Sequence, residues 1–188
     1  MTFYSAVLFV HIVSALGIVA ALSLQAVTLA RLRRATTVGE ARLWIEFAPG
    51  VPALATVSLV FLLLSGIYMT SQISGWMLAW PRVAMGALLL IAPLGVVTGR
   101  RLRAIQIACA ASKPNELEIL GKLRDPCLVF SMNMRIALVL GIVLLMTAKP
   151  ELRQSLGIVA SSVFLGLVST VFWRRESAAP IARAESRQ

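Results

Sequence analysis

Apolar residues fall in five long runs, near Phe3 to Ala30, Val51 to Ser71, Val83 to Gly99, Leu128 to Ala148 and Leu156 to Trp173. About 20 consecutive apolar residues in a helix cross a hydrocarbon core of ~30 Å, so each run is read as a membrane span. A lipid-embedded segment must satisfy its own backbone, which helices do and isolated strands do not. The expected fold is therefore an all-α, polytopic transmembrane helix bundle of five spans. Pro93 interrupts the third run and predicts a kink there. The linker between the third and fourth runs predicts a short helix, with Ser112 as cap, Pro114 at its start, Glu116 and Glu118 early, and Lys122 and Arg124 late. Residues 1–175 are read as one transmembrane domain. Residues 176–188 lack an apolar period and are read as a disordered tail.

The first run is not uniformly apolar. Tyr4, His11, Ser14, Ala21, Gln25 and Thr28 share one helical line with Val7 and Ile18. Such a stripe is expected to turn from lipid toward other helices or a polar cavity. The run has no Lys or Arg ahead of it and exceeds the length of a signal-peptide core, so a retained span is expected.

Composition agrees with a membrane protein: 59% of the 188 residues are hydrophobic, 14% are charged and the mean hydropathy is +0.85. Soluble domains carry about 25% charged residues. A net charge of +10 raises nucleic-acid binding, but the basic residues sit between apolar runs instead of forming one patch. Their placement bears on orientation. Arg31, Arg33, Arg34, Arg42, Arg100, Arg101, Arg103, Lys113, Lys122, Arg124, Arg174, Arg175, Arg183 and Arg187 fall on one side of the spans; Arg82, Lys149 and Arg153 fall on the other. The positive-inside bias then places the N-terminus outside and the C-terminus in the cytoplasm. Trp44, Trp76, Trp80 and Trp173 lie near span ends, where indole rings anchor at the headgroups.

Candidate chemistry is sparse. His11, the one histidine, lies about 12 Å along its helix, within hydrocarbon depth. A bis-histidine haem within one chain is excluded, leaving haem b through histidine and methionine, a five-coordinate haem, or His11 shared across a homodimer. The alternative is a neutral imidazole bonded to a neighbouring hydroxyl. Ser65 and Tyr68 reach similar depth in the second run, and Gly66 permits close helix approach. His11, Ser14, Ser65 and Tyr68 are thus the candidate cofactor-binding residues, with an interhelical hydrogen-bond cluster as the alternative. Arg135 lies deep in the fourth run; pairing with Glu46 or Asp125, or snorkelling to headgroups, would offset its charge. Met132 and Met134 point to different sides of their helix, and Met69, Met77, Met85 and Met146 form no recurrent pair, so packing is their expected role and no metal site is assigned. Ser162, Gly166 and Thr170 form a small-residue packing stripe. Cys109 and Cys127 have no paired spacing and are expected as reduced thiols. Catalytic templates such as G-x-S-x-G, H-E-x-x-H and the Walker loop are absent from the sequence.

The motifs F-V-H-I from Phe9, L-L-S-G-I-Y-M from Leu63 with Trp76 and Trp80 beyond it, and L-L-M-T-A-K-P ending at Pro150 resemble a bacterial family of small integral membrane proteins of unknown activity. That family is similar in appearance to the membrane part of copper-resistance protein D. The resemblance covers Phe3 to Pro150 and implies a multi-pass inner-membrane protein. The chain lacks the further histidines and methionine pairs expected of metal transport. Two function classes follow: an accessory, anchor or assembly subunit with a membrane-protein partner or a second copy, and a protein binding haem or a quinone-like molecule around His11.

Overall fold

The computed structural model describes residues 3–35, 37–47, 50–72, 75–110, 119, 121, 123 and 125–185. The described elements are helical: α1 (Phe3–Arg34), α2 (Val38–Phe47), α3 (Val51–Gln72), a 3-10 turn (Gly75–Met77), α4 (Ala79–Ala110), α5 (Pro126–Ala148) and α6 (Leu152–Glu185). Helices α1, α3, α4, α5 and α6 supply five stretches long and apolar enough to cross a membrane. Phe9, Leu16, Leu64, Leu89, Leu140 and Phe164 lie exposed on their outer faces. Water would penalise that surface, whereas lipid does not, and the chain is a multi-pass helical membrane protein.

Three antiparallel pairings build the bundle. His11 meets Ser65 and Phe3 meets Tyr68 across α1 and α3. Thr98 meets Ser131 and Arg101 pairs with Asp125 across α4 and α5. Gly141 faces Ser162, and Gly166 faces Met134, across α5 and α6. Helix α5 is central: 56% of its apolar window is buried, against 22–28% in the other four spans. The α1–α3 pair joins the rest lightly, through α1 on α5 and α3 on α4, which leaves a cleft between the two groups.

Small residues set these approaches. At Gly166 a Cβ would lie 3.2 Å from the Met134 Cα, and at Gly141 one would lie 3.1 Å from the Ser162 Cβ. Ser162 and Thr170 are buried, so the stripe packs within the chain. Both hydroxyls return hydrogen bonds to their own helix, to Ile158 O and Gly166 O.

Three features differ from the hydropathy pattern. Helix α4 continues through Pro93 and runs to Ala110, eleven residues past Gly99. Arg100 to Ala110 contains strong helix formers, and Leu102, Ile105 and Cys109 recur at helical spacing, with Ile105 and Cys109 buried. A polar first turn ends a hydropathy window without ending a helix. Second, α2 occupies what reads as a basic connection. Thr37 Oγ1 accepts from the Glu40 backbone N–H at 3.3 Å, and Val38 and Ala41 turn inward. Arg31 lies over the Trp44 ring at 5.4 Å, tying α2 to α1. Third, the backbone of α6 stays helical to Glu185, where a disordered tail is expected from residue 176. Ala178, Ala179, Ala182 and Ala184 favour extending a helix that the preceding span has already nucleated. Helix α5 ends where the pattern expects, and Lys149 closes it in the left-handed region at φ 48°, its N–H bonded to Leu145 O, before Pro150. At the other end of α5, Asp125 accepts from Cys127 N at 2.9 Å and Pro126 takes the first position. Of the expected linker helix, Ser112, Pro114, Glu116, Glu118, Lys122 and Arg124 lie outside the described residues; Ile119, Gly121 and Leu123 are helical, with Ile119 and Leu123 buried.

Candidate functional site

Along α1 the polar stripe faces inward: Ser14, Ile18 and Ala21 are buried, His11, Gln25 and Thr28 are half-buried, and Tyr4 is exposed. It serves two separate places. Near the Phe3 end, His11 Nδ1 lies 2.9 Å from Ser65 Oγ. The serine hydroxyl donates its one proton to Phe61 O at 2.6 Å, with Leu62 O at 3.2 Å, so its oxygen accepts from the imidazole Nδ1–H. With the serine proton on Phe61 O, the tautomer protonated at Nδ1 satisfies the pair and leaves Nε2 with a lone pair.

His11 lines a cavity of about 80 Å³ with Gly66, Met69, Trp80, Met85 and Met146. Sites for ring-sized ligands run to about 300–1,000 Å³, so this space suits a water molecule or a small ion and not a macrocycle. An imidazole nitrogen with three thioethers is a soft donor set. The three methionines come from α3, α4 and α5 at sequence separations that show no pairing. Among the described residues there is no cluster of three or more His, Cys, Asp or Glu side chains.

Of the four residues expected at one site, His11 and Ser65 are hydrogen-bonded. Ser14 is buried without lining the cavity, and Tyr68 turns to Phe3, ring edge to face at 5.4 Å and 85°. The reason is axial: Ser65 and Tyr68 share the face turned to α1, but Tyr68 lies about 4.5 Å farther along α3, where the antiparallel pair brings it to Phe3 and not to His11. Cys109 and Cys127 are free thiols.

Toward the other end of the bundle the stripe meets Arg135. Among the described residues it pairs with no acid, and it does not snorkel. It is 4% exposed, and Gln25 Oε1 accepts from its Nη2. Glu46 is engaged by Arg42 at 2.7 Å and Asp125 by Arg101, so neither expected carboxylate reaches it. The Met132 sulfur lies 3.7 Å from Nη2, and Arg135 Nε is buried without a hydrogen-bond partner. Gly95 gives the guanidinium room: a Cβ there would stand 3.4 Å from Nη1. Around Arg135 opens a cavity of about 440 Å³, lined also by Gln25, Pro52, Leu59, Ile91, Arg100 and Arg103. One turn away, Leu94 O accepts from both Thr98 Oγ1 at 3.0 Å and Ser131 Oγ at 2.8 Å, pinning α4 to α5. The depth of Arg135 on its helix is readable from sequence; that it faces a cavity shared by three other helices is not.

A third feature lies on the outside. Between α5 and α6 runs a groove of about 640 Å³ whose rim includes Asn133, Gln154, Gly157, Ser161 and Ser169. Gln154, Gly157 and Ser161 are exposed, and nothing lies within 4 Å of a Cβ built at Gly157. Asn133 Nδ2 is buried there without a partner.

Compared with protein-family models, curated proteins and solved structures, the chain has no match.

Proposed function

We propose that this protein is an accessory, anchor or assembly subunit of the bacterial inner membrane, whose α5–α6 groove receives a transmembrane helix of a partner. In this reading the N-terminus lies outside and the basic end of the bundle faces the cytoplasm. The observation that carries it is the groove. On a surface where exposed Leu, Val, Ile and Phe predominate, Gln154, Gly157, Ser161 and Ser169 sit at helical spacing and line an open channel beside Asn133. Lipid tails offer these groups no hydrogen bond, whereas a packed helix satisfies polar side chains and approaches closely where residues are small. The alternative of a haem or quinone-like ligand at His11 has less support, because the cavity there holds only about 80 Å³.

A photo-reactive amino acid at position 161 tests this in intact membranes. The expected product is one discrete adduct of higher mass, abolished by Gly157→Leu, which fills the groove from a position where a Cβ meets no atom within 4 Å. Its mass distinguishes a second copy from a different protein. Labelling of lipid alone, as from the outward-facing control position Leu64, refutes the docking role.

A further inference from the structure

We infer that the cleft between the α1–α3 pair and the α4–α5 pair binds an anionic amphiphile, with its oxyanion head on Arg135 and its tail along the apolar walls. This site is distinct from the α5–α6 groove.

Arg135 is the first argument. A guanidinium carries five N–H donors and keeps its charge. In this chain it finds a neutral amide oxygen and a thioether, while Nε has no partner although the residue is 96% buried. A buried charge without an anionic partner is costly, and breaking up a buried pair shows the same cost from the other side. Among the described residues, no carboxylate lies within ion-pair distance of it; Glu46 is held by Arg42 and Asp125 by Arg101. A phosphate or carboxylate oxygen supplies the missing acceptor, and the planar guanidinium fork matches either geometry.

The cavity is the second argument. Its volume of about 440 Å³ is ligand-sized. A neighbouring cavity of about 230 Å³ shares Gln25, Pro52, Gly99, Leu102 and Arg103 with it, so the two continue along the same cleft. Arg100 and Arg103 line the cavity with Arg135, and none of its lining residues is acidic. From Gly95, beside Arg135, to Arg103 is eight residues of α4, or about 12 Å of helix. The cations therefore extend from the cleft interior toward the basic end, a path along which an anionic head can be drawn in. Leu22, Leu59, Ile91 and Leu102 supply walls that suit a hydrocarbon chain and not a free inorganic ion.

The ligand chemistry is an oxyanion on an apolar chain, available from a bilayer phospholipid or from a free single-chain amphiphile. The test uses the full chain in a neutral maltoside detergent, with dodecyl phosphate and dodecanoate as probes and dodecanol as the uncharged control. Melting temperature should rise saturably with at least one anionic probe and not with the control. Arg135→Met removes the buried charge, so the ligand-free variant should melt at or above the wild-type temperature while losing the response. Arg103→Gln, at an exposed position that does not threaten folding, should weaken the response about threefold to tenfold. Arg101→Gln, outside the cleft, should leave it intact. A phospholipid retained by the wild type and lost in Arg135→Met, read by mass spectrometry, identifies the bilayer as the source; probe binding without retained lipid identifies a free amphiphile. Failure of both anionic probes to give a saturable shift overturns the inference, as does an undiminished response in Arg135→Met.

Discussion

Two glycine-to-alanine changes should move stability in opposite directions, and their contrast tests the packing directly. At Gly166 the added methyl carbon would lie 3.2 Å from the Met134 Cα, 3.2 Å from its sulfur and 3.5 Å from the Ala137 Cβ. Ordinary carbon contacts begin near 3.4 Å, and the closest atom belongs to backbone, so relief requires separating α6 from α5 by several tenths of an ångström. Overpacking of this kind costs about 1–3 kcal/mol. Alanine recovers about 0.5–1 kcal/mol of helix preference over glycine. The net is a loss of up to about 2.5 kcal/mol, or up to ~10 °C in melting temperature for a chain of this size. At Gly66 the corresponding atom meets His11 Cε1 at 3.5 Å and Nδ1 at 3.9 Å, which is normal contact. There only the helix preference remains, and Gly66→Ala should gain up to about 1 kcal/mol. The assay is thermal denaturation of detergent-solubilised protein in a Cys127→Ser background, followed with a thiol-reactive dye that reports exposure of the buried Cys109. If Gly166→Ala melts at or above the parent, or both variants shift in the same direction, the close α5–α6 approach is not what limits packing.

Ser65→Ala removes the acceptor for His11 Nδ1–H and should cost about 0.6–2 kcal/mol, the range for interhelical polar contacts in lipid. His11→Ala should cost a similar amount, and the double variant should cost less than the two singles added, as melting of all three would show. For orientation, reporter fusions after Arg34 and after Arg175 should both read cytoplasmic; an external signal from either would reverse or break the proposed topology.

Local chemistry explains what was legible without coordinates. Each apolar run had to form a helix because lipid leaves the backbone no other partner within the segment, so helix class and five candidate spans follow from hydropathy alone. The inward turn of Ser14, Ile18 and Ala21 likewise follows from 3.6-residue periodicity. Periodicity says which face differs, and not which neighbour it meets. His11 and Gln25 share one line on α1, yet His11 bonds to α3 and Gln25 to α5, because α1 stays paired with α3 while Arg135 reaches Gln25 from α5. Arg135 had acidic candidates in sequence, and the antiparallel register of α4 on α5 gave Asp125 to Arg101 instead. Met69, Met85 and Met146 showed no spacing in common, but three helices bring them to one small cavity with His11. Side-chain identity is local, whereas the cleft around Arg135 is a gap between two helix groups. Only the packing of those groups decides whether the buried guanidinium faces an acid, a headgroup or an open cavity.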